Sequence, residues 1–273
     1  MERVEEMTEI LRCPVCGGAF EEKKTGLICP AGHSFDRARE GYVNLLSGKR
    51  PGSGDSREMA LARRMFLDRG YYLPLANAAG DILKQCCAPG GRVLDICCGE
   101  GYYTSLLAER FDDRLFWGFD ISREMVRLAA KRTKKVSFFV ANLAEIPAFD
   151  GAVDLGLHFF APFNDGEFAR IISPGGYLVS AIPGREHLWG LKKILYDRPY
   201  HNDEKAPEAE SFELLERIRV STELEVEGNE NISALFKMTP YAFRTPKAGM
   251  ERIAGLETVF TTAEFVLLIY KRK

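Results

Sequence analysis

Three cysteines and a histidine sit at spacings that suit a metal. Cys13-Pro-Val-Cys16 is followed after twelve residues by Cys29 and after three more by His33. Pro14 and Gly17-Gly18 surround the first pair, Pro30 and Gly32 the second, so each pair lies on a knuckle-like turn. Two such pairs supply the four ligands of a tetrahedral zinc, and three thiolates with one imidazole make a closed site with no position left for water. That composition points to a structural ion. A module this small could scarcely fold without it. The other cysteines, the doublets Cys86-Cys87 and Cys97-Cys98, lack ligand spacing and read as small apolar core residues. Seven cysteines in this arrangement are no disulfide framework, and a reducing compartment suits them.

A second constellation follows the zinc ligands. Val93-Leu-Asp-Ile-Cys-Cys-Gly-Glu-Gly-Tyr-Tyr-Thr104 sets an apolar strand, an acid, two glycines and a helix start in succession. A glycine turn after the first strand of a doubly wound sheet lets a nucleoside cofactor approach the backbone. It is not a dinucleotide fingerprint, because the third glycine is missing and Asp95 precedes the turn. The pattern Asp95, Gly99, Gly101 resembles the first motif of class I methyltransferases, in which the acid is associated with the amino-acid part of S-adenosylmethionine. Cys97 stands where that motif usually carries a further glycine. Asp120 closes the next strand about 20 residues on, where a carboxylate can accept both ribose hydroxyls; the alternative is an N-cap for the helix starting at Arg123. The segment from Ala141 to Asp154 resembles the one that reads adenine, with Asn142 in place of the usual acid and the Leu143 N–H as donor.

These groups need a scaffold, and the chain offers one. Short apolar runs alternate with helical ones: Arg92–Cys97, Tyr102–Phe111, Leu115–Asp120 and Arg123–Arg132, then strand candidates Val136–Ala141, Val153–Phe160 and Gly176–Ile182, and a last strand over Val259–Tyr270. This is the βαβ signature of a parallel sheet covered by helices. Residues 1–46 form the zinc module and 47–55, rich in glycine, serine and proline, a linker. Residues 56–273 form the α/β domain, opened by a helix over Ser56–Leu67 with Asp55 or Ser56 as cap and its arginines on one side. With 273 residues, 46% of them hydrophobic, two such units are affordable.

The net charge of -2 gives no bulk argument for nucleic acid. Distribution does more: Arg37, Arg39, Lys49, Arg50, Arg57, Arg63 and Arg64 face only Glu40, Asp55 and Glu58 over that stretch. No apolar run reaches about 18 residues and the start of the chain is acidic, so the expected location is the cytoplasm.

A closer resemblance covers nearly the whole chain. The four ligands, His33-Ser-Phe-Asp, Glu40-Gly-Tyr-Val-Asn-Leu-Leu, Gly54-Asp-Ser-Arg-Glu-Met, Ala62-Arg-Arg-Met-Phe-Leu-Asp-Arg-Gly-Tyr-Tyr, Cys98-Gly-Glu-Gly-Tyr-Tyr-Thr, Phe160-Ala-Pro, Pro174-Gly-Gly, Pro183-Gly-Arg-Glu-His-Leu and Met238-Thr-Pro-Tyr-Ala-Phe resemble the bacterial 23S rRNA (guanine-N1)-methyltransferases. The resemblance implies a Rossmann-like methyltransferase domain with a mostly parallel seven-stranded sheet behind a zinc module. It implies S-adenosylmethionine and one zinc as cofactors, a 23S rRNA hairpin-loop guanine as substrate, and cofactor contacts from Tyr72, Tyr103, Thr104 and His187. Oligomeric state, monomer or homodimer, stays open. Methyl transfer needs mainly proximity and alignment, and the loop after the fourth strand lies where substrates of such sheets bind. Phe160 or Phe163 there could stack on the base, with His158 or a water taking the N1 proton. The rivals are a methyltransferase for a small molecule, which has no use for a zinc module, and a non-catalytic RNA-binding or assembly factor, which would tolerate loss of the glycines and Asp120.

Overall fold

The computed structural model describes residues 7–46 and 56–273. The linker, with Lys49, Arg50 and the alternative cap Asp55, lies outside the described residues.

The chain begins with a three-stranded antiparallel sheet, β1 (Glu21–Lys23), β2 (Gly26–Ile28) and β3 (Ser34–Asp36), and a two-residue strand, β4 (Val43–Asn44). α1 (Arg57–Leu67) follows, capped by the Ser56 side chain on the Met59 N–H, and then α2 (Leu73–Cys86), with Pro74 in its first turn. The parallel core is β5 (Arg92–Ile96), α3 (Tyr102–Arg110), β6 (Leu115–Asp120), α4 (Arg123–Arg132), β7 (Val136–Val140), β8 (Val153–Phe159), α5 (Asp165–Ile171) and β9 (Ile172–Pro183). α6 (Trp189–Leu195), β10 (Phe212–Glu227), α7 (Asn229–Lys237), a 3-10 turn at Pro240–Phe243, α8 (Lys247–Ala254) and β11 (Thr258–Arg272) complete the chain.

The strand order is β10-β11-β9-β8-β5-β6-β7-β4, parallel from β9 to β4 and antiparallel where β11 and β10 join. The main sheet thus has eight strands where seven were expected. The eighth comes from the zinc end of the chain: Val43 and Asn44 pair in parallel with Phe139 and Val140 of β7. An unpaired edge strand exposes a row of backbone donors and acceptors, and β4 covers part of that edge.

β5 to β9 are apolar almost throughout because both faces are buried. On one face, α1 to α4 and α6 cover Val93, Phe138, Leu155, Leu157 and Val179. The other face is covered differently. Leu94, Ile96, Trp117, Phe119 and Phe139 share one apolar cluster with Phe168 of α5 and with Ile10, Leu11, Cys13, Leu27 and Cys29 of the zinc module. The module therefore serves as a layer of the fold. β10, which the alternation search passed over, is a charged edge strand carrying Glu213, Glu216, Arg217, Arg219, Glu223, Glu225 and Glu227, held by β11 along its length. Such charge keeps an edge from pairing with another chain. No helix of the described residues is long and apolar enough to cross a membrane.

Candidate functional site

Cys13, Cys16, Cys29 and His33 converge, with one ligand atom from each lying within 4.8 Å of all the others. Cys16 Sγ and Cys29 Sγ are 3.6 Å apart, and His33 Nδ1 is 3.6 Å from Cys13 Sγ and 3.3 Å from Cys29 Sγ. A tetrahedral zinc with thiolate and imidazole ligands has ligand edges of about 3.5–3.8 Å, so the set fits that ion. Two tight turns hold it: Gly17 N–H donates to Cys13 O, and Gly32 N–H to Cys29 O. Gly17 and Gly32 both have positive φ, 72° and 85°, which glycine accepts freely. Burial opposes ionisation of the Cys29 thiol, but hydrogen bonds from the His33 and Ala31 backbones and the Cys16 thiol outweigh it and bring it down to about 6. A thiol so disposed is ready to bind metal. Cys86-Cys87 and Cys97-Cys98 take no part in any such group among the described residues.

The cofactor turn stands at the carboxyl end of β5. Gly101, at φ 78°, caps α3, and a Cβ there would lie 2.8 Å from that of Ala129, so the second glycine is demanded by both conformation and the approach of α4. Gly99 N–H donates to Asp120 Oδ2 at 3.0 Å and Ser122 N–H to Asp120 Oδ1 at 2.8 Å. The cap of α4 is Ser122, whose hydroxyl accepts from Met125 N–H. Asp120 is therefore not the cap; its carboxylate ties the Gly99 turn to the start of α4. Asp95 is 2% exposed, and its carboxyl is pushed up to about 7 by burial, with the Asp120 charge adding and the Thr104 hydroxyl bond opposing. Thr104 is wholly buried and donates to Asp95; it positions the acid. Asn142 Oδ1 accepts from Ala144 N–H at 3.0 Å, and the Leu143 carbonyl accepts from Asn164.

Cys97 lies at φ 61°. A position that requires the left-handed region explains why a glycine is usual there, and the side chain costs strain. Its thiol is raised to about 12 by burial and by the Asp120 and Asp95 charges, so it stays protonated. Phe160 and Leu188 are the other non-glycine residues of positive φ among those described, at 59° and 57°. All three follow the carboxyl ends of parallel strands, where strain gathers at functional sites.

Across the turn, residues from distant parts of the chain meet. Tyr72 Oη is 3.3 Å from His187 Nε2, and its ring packs edge-on against Phe265 and Phe66. Glu264 N–H donates to His187 Nδ1 at 3.3 Å. Burial, then the Lys192 charge, lowers His187 to about 3. The ring is neutral, and with Nδ1 accepting, Nε2 carries the hydrogen and donates to Tyr72 Oη. The Tyr72 proton is left free to point elsewhere. Tyr103 is buried and packs edge-on against Phe159. Phe160, by contrast, is 43% exposed.

The three catalytic candidates differ in setting. His158 is buried; its Nε2 donates to Pro162 O at 3.1 Å and its Nδ1 accepts from Ser180 Oγ at 3.0 Å. A carbonyl can only accept, which fixes the tautomer, and burial lowers the ring to about 4. With both nitrogens so engaged, a substrate proton could be taken by His158 only if one of these bonds were given up. Phe163 packs on His158, Phe168 and Tyr270 in the cluster shared with the zinc module, a cluster that also takes in Cys97 and Leu143. Phe160 is the most exposed of the three, and Phe163 is half-buried. An open recess lined by Phe163, Asp165, Lys205, Ala206, Pro207 and Glu208 shares no residue with the cofactor turn.

Three arginines of the described part of the basic stretch have acidic partners. Arg37 binds Glu22 and Gly41 O, Arg57 lies 3.6 Å from Glu124, and Arg64 lies 3.5 Å from Asp68. Arg63 reaches the cofactor turn, where a Cβ on Gly99 would meet its Nη1 at 3.4 Å. That role was not legible, because periodicity alone cannot say which of two adjacent arginines faces inward. Glu264 and Lys192 were likewise missed, since nothing near them in sequence marks them.

Comparison with known proteins agrees with this geometry. Residues 11–51 match a zinc-ribbon family described as "RlmA, N-terminal", and residues 93–176 match a methyltransferase domain family. The chain is 36% identical over 188 residues to a 23S rRNA (guanine(748)-N(1))-methyltransferase of Streptomyces fradiae, covering 68% of this chain and 67% of that one. It is 28% identical over 277 residues to a Bacillus subtilis protein assigned to 23S rRNA (guanine-N1) methylation, with 95% and 96% covered. With a zinc ribbon that fits its ion and a class I methyltransferase domain built upon it, the chain belongs to the 23S rRNA (guanine-N1)-methyltransferase family.

Proposed function

We propose that the protein transfers the methyl group of S-adenosylmethionine to N1 of a guanine in a hairpin loop of 23S rRNA. The observation that carries the reading is the pairing of a saturated cofactor turn, Gly99 bound to Asp120, with an exposed aromatic, Phe160, held at positive φ on the same carboxyl edge. S-adenosylmethionine supplies an activated methyl. Asp120 and the Asn142–Leu143 segment hold its nucleoside, and Asp95, positioned by Thr104, faces its ammonium.

Phe160 stacks on the extruded base and sets its Watson–Crick edge in line. The N1–C bond forms as the sulfur–methyl bond breaks, and the N1 proton leaves to water. His158 is committed on both nitrogens, and Tyr72, pushed up by burial, keeps its own proton. A hydroxyl in that state serves as a donor.

The test is methyl transfer from labelled cofactor to total RNA followed by nucleoside mapping. Label in 1-methylguanosine of 23S rRNA is expected, with a reverse-transcription stop at the modified base, because an N1 methyl blocks pairing. Label in small molecules alone, or at another atom of guanine, would overturn the reading.

A further inference from the structure

We propose that Tyr200 and Phe243 form a platform on which unpaired bases flanking the target guanine stack, with Arg198 and Arg244 taking the adjoining phosphates. The inference rests on the RNA-methylating function proposed above.

Tyr200 is 48% exposed yet firmly held. Its carbonyl accepts from Lys192 Nζ at 3.0 Å, its ring lies 4.5 Å from that nitrogen, and it packs on Tyr196 at 5.7 Å. Lys192 is itself fully buried and donates at 2.6 Å to Asn202, whose amide donates to Gly184 O and His187 O. A buried ammonium fastens this exposed ring to the loop that carries His187. An aromatic needed only for packing would be turned inward.

Phe243 is 75% exposed at the end of the Pro240–Phe243 turn. The turn is anchored from below: Tyr241 is buried, stands edge-on to Tyr196 and lies under the same Lys192 Nζ at 5.6 Å. Thr245 Oγ1 donates to Tyr241 O at 2.9 Å and is 3.4 Å from Tyr196 Oη. One cation thus lies against the exposed Tyr200 ring and against the buried Tyr241 that anchors the turn ending in Phe243.

The charge around them suits phosphate. Arg244 directly follows the exposed Phe243, and its charge partly offsets the rise that burial gives the Tyr200 phenol. Arg198, Arg244 and Lys193 are exposed and carry no ion pair among the described residues. Of the acids close to them in sequence, Asp197 pairs with Arg252 at 3.1 Å and Glu186 lies 3.0 Å from His201, while Asp203 is exposed, its carboxylate accepting from the Lys205 N–H. Exposed rings beside unneutralised arginines are the chemistry of single-stranded nucleic acid binding, in which any base can stack.

The experiment uses the full-length, zinc-loaded protein with 23S rRNA transcripts, comparing Tyr200→Ala, Phe243→Ala, Arg244→Ala and the conservative Tyr200→Phe. Each aromatic-to-alanine change is expected to weaken RNA binding about tenfold, with cofactor affinity unchanged and Tyr200→Phe within about twofold of the parent. Arg244→Ala should reduce the salt slope of RNA binding by about one. An unaltered RNA affinity in the Tyr200→Ala/Phe243→Ala double variant overturns the platform. So does a protein dimer that dissociates in that variant while RNA affinity holds, which would make the surface a contact between copies. If the parent protein binds and methylates no 23S rRNA, the underlying function falls and the platform with it; if only the variants are indistinguishable from an active parent, the platform alone falls.

Discussion

The two halves of the pocket are built in opposite ways. On the nucleoside side, the loops after β5, β6 and β7 are tied by backbone N–H groups bound to short side chains, Ser122 to Asp120 and Ala144 to Asn142 within each loop and Gly99 to Asp120 between two of them. On the other side, Tyr72 and His187, for which the resemblance implies cofactor contacts, and Phe160, proposed to meet the base, arrive from three separate parts of the chain, and an exposed aromatic stands in strained backbone. In the proposed complex the first half holds one fixed ligand in one pose. The second leaves a ring open to something large that approaches from solvent. The zinc module belongs with the first half: Arg12 N–H donates to Pro147 O and Phe149 N–H to Ile10 O, so the ribbon backs the segment that continues from Asn142 and Leu143.

That attachment yields the largest expected effect. Structural zinc contributes on the order of 10 kcal/mol of binding free energy in small ribbons, and the ribbon shares a core with Trp117 and Phe119. Cys29→Ser is expected to abolish the stoichiometric zinc and to lower cofactor affinity at least about tenfold, although the ion touches no cofactor. Metal analysis and calorimetry on the same sample check it. Full cofactor affinity in a zinc-free, folded protein would separate the module from the pocket.

Next in size is Asp120→Ala. Its carboxylate serves two backbone N–H groups and, in the proposed complex, the ribose diol, so removal should weaken cofactor binding by about 1.5–3 kcal/mol. Calorimetry decides, and an unchanged constant would remove Asp120 from the site. pH gives a graded test of the same half. Asp95, raised to about 7 against a usual 3.8, is partly protonated in the free protein near neutrality. If the bound ammonium holds it ionised, cofactor affinity is lost as pH falls below about 7, by up to tenfold per pH unit, and levels off above. The stability of the free protein has the opposite sign: a raised folded pKa favours the fold at low pH, and that contribution is lost as pH rises from about 4 through 7. Cofactor titrations between about pH 6 and 8 read the first trend; a flat profile would mean that Asp95 meets no cation.

The nucleoside half was legible in sequence because each of its groups sits within a strand or a turn of its neighbours. Asp95, the glycines and Asp120 follow from local pattern alone, and β6 and α4 begin and end where the periodicity places them. The other half was legible only through resemblance. Tyr72 and His187 are 115 residues apart, and no local signal joins them. His158 looked available because a histidine beside a substrate loop has the right chemistry; its two hydrogen bonds lie across the sheet and beyond a turn, where spacing says nothing. β10 escaped because an edge strand that must repel other chains is charged on its exposed side, which hides the apolar alternation. The eighth strand escaped because two residues leave no period to read.

The smallest effect expected is at Cys97. Glycine at this position relieves left-handed strain but gives back some unfolded-state entropy, so Cys97→Gly should stabilise by no more than ~1 kcal/mol, read as a slight rise in melting temperature. A loss larger than that would mean the side chain packs more than it strains.

The division between the two halves is tested most directly by measuring cofactor and RNA affinities side by side in Asp120→Ala and Phe160→Ala. Asp120→Ala should lose cofactor affinity and retain RNA affinity. Phe160→Ala should retain cofactor affinity and lose about 1–3 kcal/mol toward RNA, the usual worth of a stacked base, with a matching fall in the rate at subsaturating RNA. If both substitutions move the same constant, the pocket has no such halves and the account is wrong.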